Sequence, residues 1–131
     1  MFKYHPDGTQ PFDNEIFVFG SNLAGIHGAG AARAAYDKYG AKWGQGLGFA
    51  GQSFAIPTKD VQINTLKFDI IKNHVNIFAK VTDRFPEQLF FITRIGCGLA
   101  GLTDEQMAPL FKNCNKENCN MPINWQLYFE I

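Results

Sequence analysis

The sequence predicts a single α/β domain, a three-layer α/β/α sandwich on a mixed central sheet. Three observations predict it. Short apolar strands alternate with helical stretches along the chain, the pattern of a sheet covered by helices. Two strands run directly into a glycine-rich turn and then a helix: Glu15–Tyr36 (EIFVFGSNLAGIHGAGAARAAY) and Gln88–Phe111 (QLFFITRIGCGLAGLTDEQMAPLF). The 131 residues suffice for one core but not two, and 46% hydrophobic against 18% charged residues marks a globular chain.

The elements follow in order. Met1 to Asn14 hold Pro6, Gly8 and Pro11 and read as an irregular lead-in. Ile16, Phe17, Val18 and Phe19 form the first strand, and Gly20, Gly25, Gly28 and Gly30 then open a loop. A helix starts near Gly28 or Ala29 and ends at Gly40, a usual stop. Gly46, Gly48 and Gly51 match G-x-G-x-x-G literally, but the strand-like Ser53–Ile56 follows in place of a helix, and Pro57 closes that strand. Gly28-Ala29-Gly30 fails the same test, because Arg33 stands where the third small residue belongs. A dinucleotide fingerprint is therefore rejected at both places.

From Thr65 to Phe85, Leu66, Ile70, Ile71, Val75, Ile77, Phe78 and Val81 recur at helical spacing opposite a charged face. This predicts an amphipathic helix on the sheet, with His74 beside the stripe in a structural role. Leu89 to Thr93 form a buried strand. Thr103 is the expected N-cap of a helix reaching residue 112, with Asp104 and Glu105 in its first turn, where acidic groups suit the helix dipole. Asn113–Pro122 reads as a polar loop, and the alternation of Trp125, Leu127 and Phe129 predicts a last strand over Ile123–Ile131.

The glycine loops carry the chemistry. Glycine lets other groups approach the main chain, and the unpaired N–H groups that open a helix attract anions. Two such loops at the carboxyl ends of strands suggest one crevice for an extended ligand. The plainer alternative is that both are tight turns packing small residues on a sheet. Lys plus Arg and Asp plus Glu are 12 each, so no basic excess points to nucleic acid. The apolar runs are too short for a membrane helix, and the start lacks a signal-peptide pattern. Cys97, Cys114 and Cys119 make an odd set, which fits reduced thiols in the cytoplasm; zinc is not expected.

These residues carry a family resemblance. FVFGSNLAGIHGAGAARAA resembles the first ligand loop of macro domains, and FFITRIGCGLAGLTDEQMAPLF resembles their second, which wraps the diphosphate of ADP-ribose. SFAIPTKD and RIGCGL are similar to the Lys-dependent branch that removes ADP-ribose from glutamate or from DNA thymine, and the form also resembles phage- or prophage-borne macro-like proteins. The likeness spans about Glu15 to Asn113. It implies a ligand set of Gly20, Ser21, Asn22, Gly28, Ala29 and Gly30 in the first loop, with Asn22 facing the distal ribose. In the second loop it implies Ile95, Gly96, Cys97, Gly98, Leu99, Ala100 and Gly101.

Lys59 matches that branch's catalytic lysine, but the position of its companion Asp is Ala100. Asp104, four residues on, is the candidate replacement, and it equally suits a helix start. Three functions compete: a binder of ADP-ribose or a related NAD-derived nucleotide, an ADP-ribosyl hydrolase using Lys59 and Asp104, and an interaction protein that has lost its ligand. The expected partner is ADP-ribose or an ADP-ribosylated target, nucleic acid only if that target is ADP-ribosylated DNA, with no membrane, metal or cofactor.

Overall fold

The structure, a computed structural model, describes residues 1–130. Its sheet has six strands: β1 (Lys3–His5), β2 (Glu15–Asn22), β3 (Gly48–Ala50), β4 (Ser53–Lys59), β5 (Leu89–Ile92) and β6 (Cys119–Pro122). They lie in the order β1-β6-β5-β2-β4-β3. Neighbours pair in parallel except β3 with β4, so the sheet is mixed, as the sequence predicts.

The helices are α1 (Gly30–Lys38), α2 (Phe68–Arg84) and the short α3 (Asp104–Met107). They divide between the two faces because strand side chains alternate. Val18, Ile56, Phe90 and Ile92 point into the larger core, with Ile71, Val75 and Phe78 of α2, Met107 of α3, Phe111 and Trp125. Phe17, Phe19, Ala55 and Phe91 point the other way and meet Ala32 and Ala35 of α1. The three layers are thus helix, sheet and helices.

Several expectations are corrected. The lead-in is not wholly irregular: Lys3, Tyr4 and His5 pair with Asn120, Met121 and Pro122. Pro57 lies inside β4 instead of closing it. The ladder to β3 extends no further than Ala55, so at Pro57 the strand has a neighbour on one side only, where a missing N–H is tolerated. On α2 the buried stripe is Ile71, Val75, Phe78, Ala79 and Thr82, whereas Ile70 and Ile77 face outward. The helix from Thr103 tightens after one turn into a 3-10 segment at Ala108–Phe111, where Pro109 supplies no N–H.

The polar stretch after residue 112 contains β6. Its neighbour Asn118 donates to the carbonyls of Thr82 and Phe85 at 2.9 and 3.0 Å, closing the end of α2. The expected final strand is a 3-10 segment, Ile123–Tyr128, in which Trp125 is fully buried and Leu127 is 63% exposed. Ile131, the last residue of that expected strand, lies outside the described residues.

Candidate functional site

A cleft of about 580 Å³ opens at the carboxyl ends of β2, β4 and β5. Both glycine loops line it: Gly20, Ser21, Asn22, Gly28, Ala29 and Gly30 from the first, and Ile95 through Ala100 from the second. The structure therefore brings the sequence-predicted residues together, apart from Gly101 and Asp104, which are not among the lining residues. Ile26, Thr58, Ile63, Thr93 and Arg94 also line it and were not singled out from sequence.

The two helix starts differ. α1 begins after Ala29, which is extended and offers no side-chain cap, and no acidic residue stands in the first turn. The N–H groups of Gly30, Ala31 and Ala32 therefore lack both intrahelical and side-chain partners, and all three residues line the cleft. α3 is closed: Thr103 accepts from the Gln106 N–H while the Gln106 side chain accepts from the Thr103 N–H, a full capping box. The expectation that both helix starts face the crevice holds for α1 alone.

The first loop is held from behind. Asn22 Nδ2 donates to the Ile26 carbonyl at 2.8 Å, and its Oδ1 accepts from the Ile26 N–H at 3.0 Å. That leaves one amide hydrogen and one lone pair of Asn22 for anything in the cleft. Behind it His27 is fully buried, its Nε2 within hydrogen-bonding distance of the carbonyls of Lys42 (2.8 Å) and Gln45 (3.1 Å). Gly46 rests against the Asn22 backbone: a Cβ there would come within 1.9 Å of the Asn22 carbonyl oxygen.

The second loop turns at Gly96 (φ +83), where a Cβ would meet the Met107 sulfur at 3.0 Å. The Leu102 N–H donates to the Gly96 carbonyl at 2.8 Å and the Gly101 N–H to Gly98 at 3.0 Å, closing the loop upon itself. Gly98 is different. A Cβ there would meet nothing within 4 Å, so the fold does not demand its glycine.

Comparison with known structures decides the fold. The macrodomain of Mycobacterium tuberculosis DarG matches with a TM-score of 0.68 at 18% identity, over 93% of this chain and 97% of that one. The fold is that of a macrodomain. A Bacteroides thetaiotaomicron protein of unknown function also matches, with a TM-score of 0.65 at 19% identity over 93% and 96% of the two chains. No protein-family model and no curated protein matches the sequence. At these identities the likeness carries the macrodomain fold alone.

Within this macrodomain fold the charged side chains lining the cleft among the described residues are Lys59 and Arg94, with no carboxylate among them. Lys59 ends β4, where its carbonyl accepts from the Leu23 N–H at 2.9 Å. Asp104 does not stand ready as its acid. Arg94 grips the carboxylate of Asp104 through Nε (3.0 Å) and Nη2 (2.6 Å), and the buried Trp125 indole donates to it at 2.8 Å. The Arg94 clamp holds the Asp104 carboxyl below its usual range. Burial first, and the nearby Asp104 second, push the Cys97 thiol up to about 12, so it stays protonated at neutral pH. His74, half-buried on α2, is not among the lining residues.

A depressed carboxyl contributes stability above its unfolded value of 3.8 and loses it as the pH falls through the lowered one. Asp104→Asn should therefore lower the melting temperature by roughly 4 °C at neutral pH, with the gap to the parent narrowing in acid. Thermal denaturation across that range checks it, and a gap constant down to about pH 3 contradicts it.

Proposed function

We propose that the cleft binds ADP-ribose or a related NAD-derived nucleotide. The observation that carries this reading is the uncapped start of α1 and the Gly96–Ala100 loop lining one cleft, with Lys59 in its wall and no carboxylate among the described lining residues. Among the described residues the N–H groups of Gly98, Leu99 and Ala100 make no main-chain hydrogen bond. With those of Gly30, Ala31 and Ala32 they supply donors to a diphosphate, and Lys59 adds positive charge, while the charge of Arg94 is already offset by Asp104. Asn22 keeps a donor and an acceptor for sugar hydroxyls. The partner is ADP-ribose, free or on a target, in the cytoplasm, where three thiols remain unpaired.

The hydrolase reading rests on Lys59, which lines the same cleft. A lysine nucleophile requires a neighbouring group to move protons. Ala100 provides none and Asp104 is engaged by Arg94 and Trp125, which favours the binder.

Calorimetric titration with ADP-ribose, with NAD and AMP in parallel, tests the proposal. Saturable binding of ADP-ribose is expected, with slow or undetectable release of ADP-ribose from glutamyl protein or thymidine-modified DNA. Ala100→Asp should raise any release if Lys59 is placed for attack. Absence of binding leaves the interaction-protein reading; rapid turnover abolished by Lys59→Ala makes the protein a hydrolase.

A further inference from the structure

Among the described residues one side chain other than glycine occupies the left-handed region. It is Ile63, at φ +65. For a β-branched residue this conformation is a true outlier, because Cβ crowds the following carbonyl. Burial does not explain it, since Ile63 is 40% exposed. Glycine or asparagine would take the same backbone with less strain, and Asn64 stands next to it in the chain.

The surroundings hold the strain in place. The Asp60 carboxylate accepts from the N–H groups of Gln62 (2.9 Å) and Asn64 (3.0 Å), and the Ile63 N–H donates to the Asp60 carbonyl at 3.1 Å. Lys59 bridges Thr65 below the loop, and the Thr65 hydroxyl donates to the Ala100 carbonyl at 2.9 Å. The short loop is thus fastened at its base to β4 and, through Thr65, to the second glycine loop. At its tip Ile63 lines the cleft.

Much of the remaining lining is glycine, alanine and small polar residues, suited to phosphate and hydroxyl groups; Ile26, Ile95 and Leu99 are its other large aliphatic side chains, and none of them is held at positive φ. An aliphatic side chain does nothing for a phosphate. It suits the C–H face of a ring. Backbone strain without a packing gain concentrates where binding needs it.

We infer that Ile63 is a specificity-determining residue: an apolar wall on the β4 side of the cleft, packing against a sugar or base ring beside the diphosphate. This rests on the proposal that the cleft takes ADP-ribose. Ile63→Asn removes the wall and suits the left-handed backbone, whereas Ile63→Val keeps the wall. Both are titrated by calorimetry with ADP-ribose and with ADP, and both are melted.

Ile63→Asn is expected to weaken ADP-ribose binding about 5- to 20-fold, with a melting temperature equal to or above the parent's. Ile63→Val should bind within about threefold of the parent. A matching loss for ADP places the wall on the adenosine half; unchanged ADP affinity places it on the second ribose. Parent-like ADP-ribose affinity in Ile63→Asn overturns the inference while leaving the binding function intact. A lowered melting temperature in Ile63→Asn also overturns it, by assigning Ile63 to the fold. A parent protein that binds no ADP-ribose overturns the proposed function, and this inference with it.

Discussion

Gly98→Val should abolish the proposed ADP-ribose binding and leave the melting temperature only modestly below the parent's. That is the expected result because the fold makes no use of the missing Cβ: nothing lies within 4 Å of it, and Gly98 lines the cleft. An isopropyl group there would fill the space through which, in the proposed function, a phosphate reaches the loop amides. Overpacking of this kind costs about 3 kcal/mol, which is a loss of roughly 100-fold or more in affinity. Calorimetry and thermal denaturation read the two halves separately. Retained binding in a folded Gly98→Val protein would remove the second loop from the site.

Gly46→Ala has the opposite signature. Its Cβ would sit 1.9 Å from the Asn22 carbonyl oxygen and 2.9 Å from the carbonyl carbon, so the backbone of one of the two segments must move. The expected loss is about 3 kcal/mol, or a melting temperature lower by roughly 10 °C. Gly28→Ala is the control, since its Cβ would meet only the Ile26 Cγ2, at 4.0 Å. It should melt like the parent. If Gly46→Ala also does, the packing behind the first loop is wrong.

Strands β2, β4 and β5 were legible because central parallel strands are covered on both faces and read as unbroken apolar runs. β6 was not. Cys119-Asn120-Met121-Pro122 ends an Asn-rich stretch and lacks a β-branched or aromatic run, and only the fold supplies Asn120 with the Glu15 carboxylate, at 3.2 Å. The last segment misled through alternation: Trp125, Leu127 and Phe129 mimic a strand, yet in the 3-10 turns only Trp125 is fully buried. In the site, glycines announce themselves, so both loops could be read. The engagement of Asp104 could not, since Arg94 and Trp125 come from ten residues before it and twenty-one after. Nor does any residue type signal that Ile63 would be held at positive φ.

The pairing of β1 with β6 has a consequence for how the chain is made. Lys3 is opposite Asn120, so the partner of β1 is synthesised more than a hundred residues after it. At roughly 5–20 residues per second the opening strand waits on the order of ten seconds on the ribosome without a neighbour. β2, β4 and β5 can assemble earlier, and the sheet closes from its middle outward. The edge that β1 completes is thereby the last to form, and an arrested nascent chain ending before Cys119 would carry an unprotected β5 margin for chaperones to cover.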